Sequence, residues 1–500
     1  MLHIVRAEGM KRRDMRMMDD IGVPSAVLME RAALETARAV MEMLSEAGGH
    51  CGKESRVLVL CGSGNNGGDG FACARILTLK GISCAVYPAG NPDHMTEECG
   101  RQYRIVRKMG IPVTDRVNPA EYGLIVDALF GIGISRDISG RYADLIGQVN
   151  DSGVPVVAVD IPSGVDADTG QVRGCAIRAR RTVTMQLLKP GLLLYPGASY
   201  AGRVTCAEIG VEDIPDERPL LALERKDLRA WIPPRNPAGN KSDFGRVLIV
   251  GGSRNMAGAA CLAALSALRS GCGMVRVLTD ECNREIVQSV LPEALLSTWT
   301  SAEDAQSRLA EAAAWADVIA AGPGLGKSEA AQTMVRWLLT EAEHPLVLDA
   351  DALNLTAASM LPLLEAHRGP VIVTPHMGEM ARLTGVAVSQ LKLHPFDAAS
   401  AFADRYGAVC VMKDARTVTA VPGGPLYLNL SGNDGMAGAG SGDVLTGVTA
   451  ALLARGTDPA GAGALGAFLH GLAGDSAAEK HGRSGMMASD IAEAMKDLRI

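Results

Sequence analysis

Short apolar runs, each followed by glycine and then by a helix-like stretch, recur along the first part of the chain. Buried parallel strands have such continuous apolar runs because helices cover both faces of their sheet. The pattern predicts strands at Val57–Cys61, Leu124–Leu129 and Val154–Ile161. Strands that alternate with helices in this way form a mostly parallel, doubly wound α/β sheet.

The alternation stops at residues 210–245, which are rich in proline and in charged residues of both signs. We place a domain boundary near Pro215–Arg225, with residues 1–218 in a first domain and residues 222–500 in a second. A second series of apolar runs follows the boundary and predicts a second α/β sheet. Its predicted strands are Arg246–Val250, Met274–Leu278, Val318–Ala321, Pro345–Leu348, Val371–Val373 and Val409–Met412.

Composition and charge argue against several classes of protein. Of the 500 residues 47% are hydrophobic, and the net charge is -7, which disfavours nucleic acid and anionic membranes as partners because both attract basic surfaces. No run approaches 18 apolar residues, so we expect no membrane span, and we expect the charged N-terminus to be a helix rather than a signal peptide. The 11 cysteines are scattered without a Cys-x-x-Cys pair, which favours a cytoplasmic location.

Five glycines, two asparagines and an aspartate follow the first predicted strand in the motif GSGNNGGDG, Gly62–Gly70. Glycines permit a tight turn and let a phosphate approach the backbone N–H groups. The spacing Gly62-x-Gly64-x-x-Gly67 matches a dinucleotide fingerprint. However, the next predicted strand ends in VYPAG, without the carboxylate that would bind a ribose, so a dehydrogenase is disfavoured.

Three oxygen-bearing side chains lie at the ends of three predicted strands: Asn66, Asp127 and Ser163. Parallel strand ends meet at one edge of a sheet, so these side chains are expected to form a cluster of hard oxygen donors for a nonthiophilic cation. A second glycine turn, Gly131–Gly133, offers N–H groups to another phosphate. The alternative is that the aspartates after these strands only cap helices or fix turns.

The motifs GSGNNGGDG, VDALFGIG and DIPSGVDADTG, with PSAVLMERAA near the start, resemble those of the NAD(P)H-hydrate epimerases over residues 1 to about 215. The resemblance implies a Rossmann-like domain that inverts the hydrated carbon of the nicotinamide ring, with Asp160 as the acid–base residue and a substrate contact. It also implies a potassium ion held by Asn66, Asp127 and Ser163. Lys189 either neutralises charge near this site or is a solvated or structural lysine. The other implied substrate contacts are Asn65, Asn66, Gly67, Gly68, Asp69, Gly131, Ile132, Gly133, Ile134, Ser135, Arg136 and Asp137.

Another glycine-rich turn, GMAGAGSGDVLT at Gly435–Thr446, precedes a helix-like run. N–H groups at a helix start bind anions, and Asp443 beside them is suited to take a proton from a hydroxyl during phosphoryl transfer. Alternatively, Asp443 only interacts with the helix dipole. The motifs KDART, Lys413–Thr417, and TPHMGE, with His376 and Glu379, also follow predicted strands. A lone lysine there is usually solvated, and a lone histidine is usually structural.

The motifs GGSRNMAGAA, GPGLG, LDADALN, TPHMGE and GSGDVLTG resemble those of the NAD(P)H-hydrate dehydratases over residues from about 222 to 500. The resemblance implies a ribokinase-like fold with Asp443 as the catalytic residue. Three residues depart from the family pattern: Gly438 and Ala439 stand where threonine and glycine are expected, and Asp414 adds negative charge where glycine is expected. The implied substrate contacts are Ala259, Gly324, His376 and Asp443, and the implied AMP contacts are Lys413, Asp414, Ala415, Arg416, Thr417 and Gly442.

Together the two resemblances imply a bifunctional enzyme that repairs hydrated nicotinamide cofactors. Its first domain would epimerise the R and S forms of NAD(P)H hydrate, and its second would dehydrate the S form with ADP as co-substrate, giving AMP and phosphate. Mg²⁺ is expected with the nucleotide, and a homo-oligomer is expected without nucleic-acid or membrane partners. Two alternatives stay open: the second domain is a ribokinase-like small-molecule kinase, or the first is a silent module that binds a nucleotide or a partner protein.

Overall fold

The computed structural model of the protein describes residues 1–46 and 56–498. The chain forms two compact units, His3–Glu217 and Arg218–Ile500, and Met1–Leu2 are grouped with the second unit. Both units are α/β, and the predicted fold class is confirmed. No helix in the described ranges is both long and apolar enough to cross a membrane.

The N-terminal unit is built on six parallel strands in the order β3-β2-β4-β5-β6-β7, and the short strand β1 opens the chain. The strand order changes direction between β2 and β4, which makes the carboxyl ends of these two strands the topological switch point of the sheet. The strands are β1 (Leu2–Ile4), β2 (Val57–Cys61), β3 (Cys84–Pro88), β4 (Leu124–Ala128), β5 (Val156–Val159), β6 (Arg181–Met185) and β7 (Arg203–Ala207).

Helices cover both faces of this sheet. All five residues of β2 are buried, because Val57 and Val59 pack on the face that carries α2 and α3, whereas Leu58 and Leu60 pack on the face that carries α5. This two-sided burial explains the continuous apolar run in the sequence. The helices are α1 (Ala7–Met15), α2 (Ser25–Glu46), α3 (Asn65–Leu79), α4 (Glu97–Lys108), α5 (Arg141–Asp151) and α6 (Ala198–Ala201).

The C-terminal unit has a larger sheet, in the order β8-β17-β16-β15-β14-β13-β12-β9-β10-β11. The strands from β15 to β11 run parallel, whereas β16 is antiparallel to both of its neighbours. The strands are β8 (Leu220–Ala222), β9 (Arg246–Val250), β10 (Met274–Asp280), β11 (Leu295–Trp299), β12 (Val318–Ala321), β13 (Leu346–Leu348), β14 (Val371–Val373), β15 (Val409–Met412), β16 (Val418–Ala420) and β17 (Leu426–Leu428).

Helices rich in small residues pack closely in this unit. A Cβ atom on Gly447 of α17 would lie 2.0 Å from the carbonyl oxygen of Ala263 in α8, so glycine is required for these helices to approach. The helices are α7 (Leu228–Trp231), α8 (Ala257–Arg269), α9 (Arg284–Val290), α10 (Ala302–Ala313), α11 (Glu329–Thr340), α12 (Ala350–Leu355), α13 (Leu361–Ala366), α14 (Met377–Thr384), α15 (Val388–Leu393), α16 (Pro395–Tyr406), α17 (Ser441–Ala454), α18 (Pro459–His481) and α19 (Ala488–Ala494).

Candidate active sites

A cavity of about 850 Å³ opens at the switch point of the N-terminal sheet. Its walls come from α1, α2 and the segments that follow β2, β4 and β5, and the strand-end segments are those expected for a ligand site in a doubly wound sheet. Of the residues predicted to contact the substrate here, Gly67 and Gly68 do not line the cavity. Those that line it are Asn65, Asn66, Asp69, Gly131, Ile132, Gly133, Ile134, Ser135, Arg136, Asp137 and Asp160.

The glycines of GSGNNGGDG serve close packing more than contact with a ligand. A Cβ atom on Gly62 or Gly67 would lie 2.0 Å from a backbone carbonyl oxygen, that of Leu129 or Gly62 respectively. Gly68 and Gly70 would also collide with neighbouring side chains. Among the five glycines of this motif, only Gly64 has nothing within 4 Å of its Cβ position. The start of α3 can therefore lie against the ends of β2 and β4 only because these positions are glycine.

The predicted cation ligands are joined by one short loop. Asp127 is fully buried, and it accepts hydrogen bonds from Ser163 Oγ at 2.6 Å and from the N–H groups of Ser163 and Leu129 at 2.8 and 3.2 Å. The loop continues to Gly131, whose Cβ position is 3.4 Å from the Asn66 amide. Burial raises the pKa of Asp127 to about 6 against the effect of its hydrogen bonds.

These residues fit a monovalent cation. In the described ranges the Asp127 carboxylate has no ion-pair partner, and the Nδ2 end of the Asn66 amide is buried without a hydrogen bond. Because the two ends of an amide have the same shape, rotating it would point a carbonyl oxygen into that space. One carboxylate, one amide and one hydroxyl form a hard-oxygen set of low charge. Within the described ranges, no three His, Cys, Asp or Glu side chains form a metal cluster.

Asp160 directly follows β5 and has a φ of 64°, in the left-handed region that non-glycine residues seldom adopt. Its Oδ1 atom accepts hydrogen bonds from Lys189 Nζ at 2.6 Å and from Thr184 Oγ1 and the Met185 N–H at 3.0 Å. Lys189 is fully buried and also donates to the Met185 carbonyl oxygen at 2.8 Å. Lys189 is therefore not a solvated lysine, and it forms a buried ion pair with Asp160.

Two further carboxylates line the same cavity, Asp69 on α3 and Asp14 on α1. Burial raises the pKa of Asp69 well above its ordinary value, and the charges of Asp160 and Asp14 add to this effect. Burial also raises the pKa of Asp14 to about 6, opposed by Lys189 and reinforced by Asp160. The sequence analysis missed Asp14 because α1 carries no glycine-rich motif.

The candidate site of the C-terminal unit begins at Asp349, which directly follows β13 and is almost fully buried. Its Oδ1 atom accepts a hydrogen bond from Lys413 Nζ at 2.7 Å, and its Oδ2 atom accepts one from Thr446 Oγ1 at 2.7 Å. These contacts join β13, the end of β15 and the first turns of α17. The sequence analysis missed a role for Asp349, although its position after an apolar strand was a usable signal.

Helix α17 begins at Ser441, directly after Gly440, which has a φ of 90°. Asp443 lies in the first turn of this helix. Burial raises the pKa of Asp443 to about 7, the charges of Asp349 and Asp351 act in the same direction, and Lys413 opposes them. A carboxyl group that titrates near neutral pH is suited to general acid–base catalysis.

His376 caps helix α14, and its Nδ1 atom accepts hydrogen bonds from the N–H groups of Gly378 and Glu379 at 2.9 and 3.3 Å. In return, Glu379 Oε2 accepts a hydrogen bond from the His376 N–H at 2.9 Å. Burial and the nearby Lys413 and Arg382 lower the pKa of His376. The histidine thus has a structural role, while about half of its side chain stays exposed to a ligand.

The remaining predicted contacts, and the residues that depart from the family pattern, lie elsewhere in this unit. Gly324 has a φ of 58°, and its Cβ position is 3.0 Å from the Cβ atom of Ala259. Asp414 is partly exposed and lies 3.8 Å from Lys392, which offsets its negative charge. Gly438 and Ala439 line a separate cavity of about 330 Å³, together with Leu262, Met487 and other side chains. The segment Lys413–Thr417 connects β15 with β16.

The chain matches two family models. One is described as NAD(P)H-hydrate dehydratase and matches residues 247–497. The other is described as YjeF-related protein N-terminus and matches residues 25–191. The two matches fall in the C-terminal and N-terminal units respectively.

Curated relatives are similar to the whole chain. The bifunctional NAD(P)H-hydrate repair enzyme of Moorella thermoacetica is 38% identical over 98% of this chain and 95% of its own length. The enzyme of the same description from Thermofilum pendens is 38% identical over 100% of this chain and 97% of its own length. A crystal structure of the ADP/ATP-dependent NAD(P)H-hydrate dehydratase of Bacillus subtilis, co-crystallised with ATP and Mg²⁺, is 32% identical over 55% of this chain and 96% of its own, with a TM-score of 0.49.

Proposed function

Because the chain belongs to the family of bifunctional NAD(P)H-hydrate repair enzymes, we propose that it interconverts the two epimers of NAD(P)H hydrate and dehydrates the S epimer. We assign epimerisation to residues 1–218 and dehydration, with ADP as phosphoryl donor, to residues 222–500. One observation carries this assignment: each unit has its own carboxylate at the carboxyl edge of its own sheet, Asp160 beside a cavity and Asp443 at a helix start.

The chemistry of the substrate fits the first site. Hydration of the ring double bond places a hydroxyl on the carbon that is bonded to the ring nitrogen. Epimerisation can proceed when this hydroxyl leaves as water after gaining a proton, which gives a cation stabilised by the ring nitrogen, and water then adds to the opposite face with loss of a proton. Asp160, which is paired with Lys189, would stabilise this cation and exchange the proton.

A potassium ion held by Asn66, Asp127 and Ser163 is part of the proposal. The ion would supply positive charge for substrate phosphates and for the buried Asp127 carboxylate. Asp127 and Ser163 position the loop that follows β4, because Ser163 Oγ also accepts a hydrogen bond from the Phe130 N–H at 2.9 Å.

At the second site, Asp443 would remove the proton from the ring hydroxyl as the hydroxyl oxygen attacks the β-phosphorus of ADP. The new O–P bond forms as the bond to the bridging oxygen breaks, which releases AMP. Phosphate then leaves from the ring carbon, and loss of a proton from the neighbouring carbon restores the double bond. Mg²⁺ bound with the nucleotide would neutralise phosphate charge in this transfer.

We further propose a cytoplasmic, homo-oligomeric enzyme; ten cysteines in the described part of the chain are free, which fits a reducing compartment.

The test is to incubate the purified chain with both epimers of NADH hydrate and ADP, and to follow the return of the absorbance of the reduced cofactor. Full recovery of both epimers with ADP, and no recovery without it, is expected. Phosphorus NMR of the same samples separates this function from a kinase. A stable phosphate ester in place of free phosphate would contradict the proposal.

A further inference from the structure

Lys413 lies in an electrostatically unusual position. Its Nζ atom is 3.1 Å from the position that a Cβ atom on Gly442 would occupy, so the ammonium group lies against the first turn of α17. The amino end of a helix carries partial positive charge, so a cation there is unfavourable unless an anion compensates it. Glycine at 442 leaves room for this approach, because a Cβ atom there would lie in tight contact with the ammonium group.

Asp349 supplies the compensating charge. Its Oδ1 atom is 2.7 Å from Lys413 Nζ, and its other oxygen is held by Thr446, one turn further along α17. Asp349 is 2% exposed and Lys413 is 19% exposed, so the carboxylate is the more deeply buried partner of the pair. A buried carboxylate with both oxygens bonded holds its partners in a fixed geometry.

The start of α17 and Lys413 together form a place for an anion. The Lys413 ammonium group lies beside Gly442 in the first turn of the helix and donates a hydrogen bond to Asp349. Such a site suits a phosphoryl group in transfer, whose negative charge is spread over its oxygens. Asp443 lies in the same helical turn as Gly442.

We propose that Asp349 is a positioning residue for the dehydration step: it holds Lys413 against the start of α17, where the ammonium group binds the phosphoryl group in transfer. This inference rests on the proposed function. In this proposal Asp349 does not touch the substrate and acts through two neighbours. It holds Lys413 in place by a hydrogen bond, and its negative charge acts on Asp443. The negative charge of Asp349 raises the pKa of Asp443 and that of Glu379, whereas the positive charge of Lys413 lowers both.

The test uses the full-length chain with Asp349→Asn, which keeps the size of the side chain and removes its charge. We expect kcat for dehydration to fall about 10²-fold, the loss typical of one misplaced transition-state donor. KM for ADP should change less than kcat. The control is Asp317→Asn, which breaks the ion pair between Asp317 and Arg246 at the opposite end of the sheet and should leave kcat unchanged.

The pH profile separates a positioning role from a purely structural one. The acid limb of the dehydration rate should move to lower pH in Asp349→Asn, because a negative charge near Asp443 is lost. It should move to higher pH in Lys413→Met, because a positive charge is lost. Other titratable or charged groups that act on this cluster are Asp351, His376, Glu379, Arg382 and His470, and all of them are kept in both variants.

The double variant provides a second comparison. If Asp349 acts through Lys413, Asp349→Asn should lower kcat much less in the Lys413→Met background than in the wild-type chain. The inference would be overturned if the losses in kcat were additive. It would also be overturned if the acid limbs of the two pH profiles moved in the same direction in the two single variants. Epimerisation by the same samples reports correct folding of the other unit, and thermal unfolding reports this one. A wild-type chain without ADP-dependent recovery would instead refute the proposed function.

Discussion

Lys189 and Asp160 form an ion pair of 2.6 Å at the edge of the N-terminal cavity, and the lysine is fully buried. The Met185 carbonyl and the Thr184 hydroxyl complete the contacts of the ammonium group. A charge held this deeply is compensated only while its partner remains. The pair therefore links the stability of the unit to the charge state of the residue we propose as catalytic.

Lys189→Met tests this link. The variant leaves the Asp160 carboxylate without its cation, and we expect the unfolding free energy of the N-terminal unit to fall by about 3–5 kcal/mol. Epimerisation should also slow. Urea unfolding and the rate of epimer interconversion are the measurements. Lys80→Met, at the exposed end of α3, is the control and should change neither. Equal stability of the two variants would show that the buried pair contributes nothing.

Asp127→Ala tests the potassium site. Loss of the only carboxylate among the three proposed ligands should weaken epimerisation and abolish its increase with KCl relative to choline chloride, because the remaining amide and hydroxyl carry no charge. Dehydration of the S epimer should continue. Asp151→Ala, which removes an exposed carboxylate at the end of α5, should respond to potassium as the wild type does. An unchanged potassium response in Asp127→Ala would exclude this residue as a ligand.

Much of the fold follows from the sequence pattern because central parallel strands are buried on both faces. The runs Val57–Cys61, Arg246–Val250 and Val409–Met412 form strands with the predicted bounds. The pattern did not reveal β1, β6, β7, β8, β11, β16 or β17, and the start of the chain, which was expected to be a helix, forms strand β1 before helix α1. In β6, polar and apolar residues alternate, and β11 is a half-exposed edge strand, so neither forms a continuous apolar run. The positions of these strands in their sheets depend on contacts with residues that are distant in the sequence.

The site was predictable where a motif follows a strand and less so elsewhere. Asn66, Asp160 and Asp443 stand in glycine-rich or strand-end motifs, and the structure places them at the expected sheet edges. Asp14 has no such motif. Asp349 lies in the strand-end motif LDADALN, but only three-dimensional packing shows its contacts with Lys413 and Thr446. The function of the glycines at 62–70 was also misread in part, because a collision of backbone atoms cannot be seen in a sequence.

The packing role of those glycines is testable with two alanine substitutions. In Gly67→Ala the new Cβ atom would lie 2.0 Å from the Gly62 carbonyl oxygen, so we expect a loss of at least about 1–3 kcal/mol in unfolding free energy. In Gly64→Ala the Cβ atom meets nothing, and stability should change little. Thermal unfolding of both variants is the measurement. Similar melting temperatures would favour a ligand-binding role for all five glycines.

Asp443 determines the expected pH dependence of dehydration. Its pKa is raised to about 7 mainly by burial, and only the charged form can accept a proton from the ring hydroxyl. The rate should therefore be low at pH 5, rise as the pH passes through about 7, and level off above it. Stability should follow the opposite course. A raised carboxyl pKa means that the folded state keeps its proton longer than the unfolded state does, so the unfolding free energy falls as the pH rises from about 4 to about 7.

Asp443→Asn separates catalysis from stability because the two should change in opposite directions. Loss of the general base should slow dehydration roughly 10²- to 10⁴-fold and remove the rise in rate near pH 7. The start of α17 keeps its N–H groups, so ADP affinity should change little. At pH 8 the variant should unfold at the same or a higher temperature than the wild type, since no buried charge has to form. Chromatography of the epimers in the same sample should show that Asp160 still equilibrates them. Near-normal recovery of the reduced cofactor in Asp443→Asn would mean that this carboxylate only interacts with the helix dipole.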